Sequence, residues 1–337
     1  MRPFKFTHAA DAAKASQSIA ANRDAFFIAG GTNLLDLMKE GVERPSELVD
    51  ISRLSLTQIK SAGQMISIGA LAKNTETANH PLIRQNFPLL TQAILAGASP
   101  QIRNMATNGG NLMQRTRCSY FYDVSMPCNK REPGSGCGAM EGINKGHAIL
   151  GWSDKCIATN PSDMSVALLA LDAVVKVSGA NGKQRSIPFG DFHRLPGDSP
   201  EKDNTLERGE IITSIEIPTA SSAFAPNSYY LKIRDRSSYA FALVSVAAAF
   251  EVKGGLIQKA RVALGGVAHK PWRATAAEAA MQGQKVNGSG VEDAFRSAAE
   301  AELKAAKPLE HNSYKVELAK RAMTLAFRKA LKIEVAT

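Results

Sequence analysis

Four cysteines carry the most specific chemical signal in this chain. Cys118, Cys128, Cys137 and Cys156 are separated by 9, 8 and 18 residues, and the rest of the sequence has none. Cysteines scattered through a core do not gather in this way. Four convergent sulfurs serve two disulfides, a zinc site or an iron–sulfur cluster. Zinc ribbons and fingers use CxxC-type pairs, which are absent here, and so are the familiar ferredoxin spacings. Spacing alone therefore leaves all three open. The surroundings favour a cluster: Arg115, Arg117 and Lys130, with Arg131 beside them, lie close in sequence to the sulfurs. Cationic side chains and backbone N–H groups stabilise the negative charge of a thiolate-ligated cluster.

Two glycine-rich loops form the second signal. Ala25-Phe26-Phe27-Ile28-Ala29 reads as a short strand, and it runs through Gly30-Gly31-Thr32-Asn33 into an apolar helix, Leu34–Glu40. Glycine lets a ligand approach the backbone, and the start of a helix presents free N–H groups to an anion. The pattern is not GxGxxG, so it is not the Rossmann fingerprint. Thr107-Asn108-Gly109-Gly110-Asn111 repeats the chemistry on a second unit. Two such loops on separate units predict a ligand held between them. None of the six histidines (His8, His80, His147, His193, His269, His311) stands in a recognisable acid–base motif.

The elements that must position these residues fall into three units. Residues 1–55 read as helix, strand, glycine turn, helix, strand. Residues 56–217 form a second unit with a hairpin (Leu56–Lys60 and Met65–Gly69 across 61–64) and a helix at Pro88–Gly97. An irregular stretch covers about 102–160. A helix at Asp163–Leu171 then starts at Ser162 as N-cap, and a hairpin turns at Asn181-Gly182. The cysteine insertion spans about 113–157. After a Ser/Ala/Pro-rich linker, 218–226, residues 224–337 read as a third unit: strands Phe241–Val252 and Ile257–Leu264, joined at Gly254-Gly255, and then helices. The class is α+β.

Composition narrows the options. The net charge of +10 comes from scattered basic residues. No compact nucleic-acid module is visible, so an acidic partner protein is the expected counterpart and nucleic acid is not. No apolar run approaches the ~20 residues of a membrane span. Met1-Arg2-Pro3-Phe4-Lys5 lacks the apolar stretch of a secretory signal. The expectation is a cytoplasmic chain, or one exported to the periplasm already folded with a signal-bearing partner.

The order of motifs resembles the flavin subunit of the xanthine dehydrogenase, or molybdenum hydroxylase, family. Phe27-Ile28-Ala29-Gly30-Gly31-Thr32-Asn33-Leu34 and Thr107-Asn108-Gly109-Gly110-Asn111 look like its two FAD-pyrophosphate loops. The segments from Pro161-Ser162-Asp163-Met164 to Ala173, from Arg261 to Ala268, and Pro271-Trp272-Arg273 resemble its later motifs. The cysteine insertion is shared with the flavin subunits of bacterial periplasmic aldehyde oxidoreductases. The resemblance implies a FAD-binding domain of the vanillyl-alcohol-oxidase type, made of two α+β subdomains, followed by a small α+β domain with an antiparallel sheet and helices. It places Phe27 to Leu34, Thr107, Gly110 and Asn111 around non-covalent FAD, with Asp163, Ile212 and Lys232 near the cofactor. It makes Cys118, Cys128, Cys137 and Cys156 the ligands of a [4Fe–4S] cluster.

The resemblance further implies an electron-transfer subunit. Its partners would be a large molybdenum-cofactor subunit and a small [2Fe–2S] subunit, and it would deliver electrons to an external acceptor, with NAD the last choice. The alternative is a self-contained FAD oxidase of the vanillyl-alcohol-oxidase type whose insertion holds structural zinc or disulfides. For Asp163 the competing reading is a plain acid at a helix N-terminus; for Ile212, a core strand residue; for Lys232, a solvated lysine.

Overall fold

The computed structural model describes residues 1–286, 288 and 290–333. Strands β1 (Lys5–His8), β2 (Ala25–Ile28) and β3 (Glu47–Asp50) form a parallel sheet in the order β1-β3-β2. The helix Ala12–Ala21 links β1 to β2, and Asp11 caps it by accepting from Lys14 N at 2.7 Å. Its Ala15 and Ile19 pack with Val49, Leu54 and Ile211. β1 has no counterpart in the expected elements, because four residues of mixed polarity give no usable alternation.

The second sheet is antiparallel, with β4 (Ile59–Ala62), β5 (Met65–Gly69), β6 (Val174–Ser178), β7 (Gln184–Pro188) and β8 (Ile211–Pro218) in the order β4-β5-β8-β6-β7. The first hairpin turns at Gly63 (φ +62°) and Gln64, so β4 starts three residues later than expected. Gly63 reaches the left-handed region that a two-residue hairpin turn requires. The helix Asp163–Ala170 is buried at all eight positions. A helix apolar on every side sits between layers, and this one contacts the second sheet's core and the third sheet together.

The third sheet is antiparallel, β9 (Ser228–Ile233), β10 (Val244–Lys253), β11 (Leu256–Gly265) and β12 (Trp272–Arg273), in the order β12-β11-β10-β9. Helices Thr275–Met281, Val291–Leu303 and Tyr314–Leu331 cover one face. Phe327 meets Phe250 and Phe295 edge-on at 5.5 and 5.8 Å between ring centres. β9 is a strand absent from the expected elements. The linker also differs: β8 runs to Pro218, and a 3₁₀ segment, Thr219–Asn227, follows. The stretch expected to be irregular holds short helices at Pro100–Met105, Asn108–Leu112 and Ser119–Tyr122, and is otherwise loop.

Candidate cofactor site

Two cavities meet at the glycine loops. The first, about 500 Å³, is walled by Phe27, Ile28, Ala29, Leu34 and Ile212, and Gly30, Gly31 and Thr107 also face it. The second, about 830 Å³, lies between the helices Pro88–Ala96, Pro100–Met105 and Asn108–Leu112 and the third sheet, and is bordered by Asn111, Asp163 and Lys232. Thr32, Asn33 and Gly110 line both. The structure thus gathers Phe27 to Leu34, Thr107, Gly110 and Asn111 around one junction. Ile212 stands on the apolar side of it, and Asp163 and Lys232 on the polar side.

The two loops touch because of their glycines. A Cβ at Gly30 would collide with the Met105 carbonyl ahead of the second loop. Gly31 has φ +70°, a conformation side chains rarely adopt. Thr107 caps its short helix by accepting from Gly110 N at 3.2 Å. Asn111 is braced by its neighbours: it donates to Asn74 (2.9 Å) and accepts from Ser162 Oγ (2.6 Å) and Gln114 (2.9 Å). Asn33 accepts from Arg115 N at 2.9 Å through Oδ1, whereas its buried Nδ2 has no partner among the described residues. An orphaned buried donor costs free energy unless a ligand satisfies it. At the junction of two cavities, that donor fits an elongated anionic dinucleotide such as FAD.

Asp163 opens its helix behind Ser162, whose hydroxyl accepts from Ser165 N at 3.0 Å. Its carboxylate is nevertheless committed elsewhere. Oδ2 accepts from Lys232 Nζ and Oδ1 from the Tyr230 hydroxyl, both at 2.7 Å. Lys232 is no solvated lysine, as its side chain is 4% exposed. Burial, and the Asp163 charge after it, push the Tyr230 hydroxyl pKa well above its ordinary value. Tyr230 was not among the expected site residues. Its signal was the alternation of Tyr229-Tyr230-Leu231-Lys232, which sends Tyr230 and Lys232 to the same face of β9.

The four cysteines are free thiols and line one small cavity. Cys128 pairs with Cys137 in an antiparallel bridge, and Cys156 with Ser153. Phe121 N donates to the Cys118 carbonyl and Met140 N to the Cys137 carbonyl, both at 3.1 Å. Ala158 N donates to Cys156 Sγ at 3.5 Å. Burial pushes the Cys118 thiol up to about 12 and that of Cys156 to about 11. Among the described residues, no group of three or more His, Cys, Asp or Glu stands at the spacing a single ion takes.

The basic patch proves to be balanced by carboxylates. Arg115 pairs with Glu43 (2.6 Å) and Asp203 (2.8 Å), Arg117 with Asp36 (2.9 Å), and Lys130 with Asp203 (2.5 Å). Lys130, with its side chain 1% exposed, also lowers the Cys156 pKa against burial. Arg115, Arg117 and Lys130, expected from the sequence to compensate a cluster, are thus each committed to a carboxylate.

Comparison with known proteins identifies the family. The family model for the FAD-binding domain in molybdopterin dehydrogenase matches residues 2–220, and that for the CO dehydrogenase flavoprotein C-terminal domain matches 229–330. The chain is 46% identical over 332 residues, 98% of its length and 99% of the relative's, to the aldehyde oxidoreductase FAD-binding subunit PaoB of Escherichia coli (strain K12). It is 28% identical to the glyceraldehyde dehydrogenase medium chain of Sulfolobus acidocaldarius, over 86% of this chain and 85% of the other. Carbon monoxide dehydrogenase from Hydrogenophaga pseudoflava superposes with a TM-score of 0.75 at 25% identity, covering 98% of each chain. The chain belongs to the FAD-binding medium subunits of the CO dehydrogenase/xanthine dehydrogenase family of oxidoreductases.

Proposed function

We propose that this chain is the electron-transferring flavin subunit of a molybdenum-dependent aldehyde oxidoreductase and holds one [4Fe–4S] cluster on Cys118, Cys128, Cys137 and Cys156. The aldehyde assignment is supported by the near-full-length similarity to a subunit named for that activity. In this reading aldehyde is oxidised on a large molybdenum subunit, a small [2Fe–2S] subunit relays the electrons, and this chain passes them to an external acceptor. FAD, when bound, supplies two-electron uptake with one-electron release. Asn33 and the Gly110 backbone would hold its pyrophosphate, and the apolar wall around Ile212 and the Asp163–Lys232 side would enclose its two ends.

The observation that carries the cluster is the position of Cys118. It lines the cysteine cavity and also the larger cofactor cavity. A redox centre beside a flavin has a use for such a shared wall, and a structural zinc has none. The self-contained oxidase needs a base facing the flavin. Of the six histidines, His147 is the one that lines either cavity, and it faces Cys118.

Metal and flavin analysis of the purified complex tests the reading. We expect one FAD per chain, released by acid, with molybdenum, and four irons beyond the small subunit's share. Reduced samples should give a paramagnetic signal additional to the [2Fe–2S] centres. Iron that stops at the small subunit's share sinks the cluster. Aldehyde turnover by this chain without its partners sinks the electron-transfer role.

A further inference from the structure

His147 is not one of the cysteine ligands, yet it stands where the cofactor cavity and the cysteine site meet. Its Nε2 lies 3.1 Å from Cys118 Sγ, and the residue is 7% exposed. His147 and Cys118 both line the larger cofactor cavity, and the other three cysteines do not. Cys118 is therefore the one sulfur that faces both sites.

The backbone that carries the ring is held from behind. The His147 carbonyl accepts from Lys315 Nζ at 2.9 Å and Asn312 Nδ2 at 3.4 Å, and its N–H donates to the Asn144 carbonyl at 3.0 Å. Lys315 is wholly buried and also donates to the carbonyls of Gly146 (3.3 Å) and Gly266 (2.5 Å). Tyr120 covers the ring at 6.2 Å between centroids. Lys315 and Asn312 thus tie the His147 backbone to the C-terminal domain, while the edge of its ring meets the cysteine loop. Among the described residues Nδ1 has no partner, and Cys118 is the ring's one hydrogen-bonding neighbour.

We propose that His147 is a positioning residue for electron transfer, donating Nε2–H to the Cys118 thiolate and so raising the potential of the cluster beside the flavin. The inference rests on the cluster reading above. A donor on a ligating sulfur stabilises the added negative charge of the reduced cluster more than the oxidised state. It acts here on the sulfur that walls the flavin cavity, which is the natural exit for an electron.

The test is a redox titration of the purified complex followed by paramagnetic resonance, with His147→Phe, His147→Asn and His147→Gln. Phe has no donor, and the Asn amide stops short of Cys118. Both should lower the midpoint, changing the oxidised-to-reduced ratio at the native midpoint about tenfold, or ~59 mV for one electron. Gln reaches further and should recover part of the shift. Flavin content and the [2Fe–2S] signals should not move. An iron-replete Asn or Phe variant that titrates at the native potential overturns the inference alone. A native complex without the extra iron overturns the cluster reading and the inference together.

Discussion

Lys232 Nζ lies 2.7 Å from Asp163 Oδ2, and this contact joins β9 of the C-terminal domain to the first turn of the helix buried beneath it. Lys232 also donates to the Ala96 carbonyl at 3.1 Å, so the ion pair closes the end of the helix Pro88–Ala96. Three elements thus meet at one charge pair on the wall of the larger cavity. Removing one partner of a buried pair strands the other charge, at about 3–5 kcal/mol. Lys232→Met should therefore lower the thermal midpoint of flavin release from the complex. Lys232→Met combined with Asp163→Asn should recover much of the loss, because no unpaired charge remains. A single variant as stable as the native protein would show the pair to be inert.

The glycines of the two loops should fail in different ways. Gly30→Ala drives a methyl into the Met105 carbonyl, which is backbone and cannot turn aside, so soluble yield should fall. Gly31→Val puts a β-branched residue at φ +70° and should fold poorly for conformational reasons. At Gly110 a Cβ meets only the Thr107 hydroxyl, at 2.9 Å, and that group can rotate. Gly110→Ala should therefore fold yet narrow the junction of the cavities. The flavin-to-protein ratio of soluble material separates these outcomes. Full flavin content in Gly110→Ala would move the pyrophosphate away from this loop.

Motifs whose chemistry is local were legible in the sequence. The glycine pairs, the Ser162 cap and the cysteine cluster each announce themselves within a few residues. What distant segments decide was not. Asp163 reads as a helix N-terminal acid until β9, some 70 residues later, brings Lys232 and Tyr230 to it. Arg115, Arg117 and Lys130 read as a bare positive patch because Glu43, Asp36 and Asp203 come from remote parts of the chain. β9 escaped notice because its alternation carries two tyrosines and a lysine where a half-buried strand usually shows aliphatic residues.

Acid should destabilise the fold through two buried histidines. His193 Nε2 donates to the Leu112 carbonyl at 2.9 Å, and His269 Nδ1 to that of Arg194 at 2.8 Å. Burial pushes both pKa values down to about 4. An unfolded histidine titrates near ~6.5. Between these values the unfolded chain binds protons that the folded chain refuses, so stability is full above about 6.5 and falls as pH drops towards 4. Asp203 continues the trend. Against burial, Lys130 and Arg115 hold its carboxyl well below the usual range, so its contribution is lost below the ordinary carboxylate pKa of ~3.9. Thermal midpoints across pH 4 to 8 should show this slope, and His269→Gln should flatten it. A midpoint constant from pH 6.5 to 4.5 would refute the account.

Loss of the cluster should loosen one half of the insertion and spare the other. A loop poor in apolar residues takes much of its order from metal, which by itself predicts loosening across about 113–157 when the cluster is lost. The structure divides that stretch. Ile149, Leu150 and Ile157 are fully buried, Ala148 N donates to the Ile157 carbonyl, and Ile149 N and Leu150 N both donate to Val267. Asn312 and Lys315 add further bonds from the C-terminal domain. Among the described residues, 125–142 make no hydrogen bond to the C-terminal domain, and their ties elsewhere include Lys130 to Asp203 and Pro200 and Asn129 to the Lys155 carbonyl. Their bonds are mostly internal: Asn129 accepts from Gly134 and Gly136, and Cys128 N donates to Ser135. Cys128→Ser in the intact complex should abolish the extra iron signal and retain FAD. Amide exchange should quicken over 125–142 and remain slow over 147–158. Rapid exchange through both halves would mean that the metal, and not the C-terminal domain, orders the whole insertion.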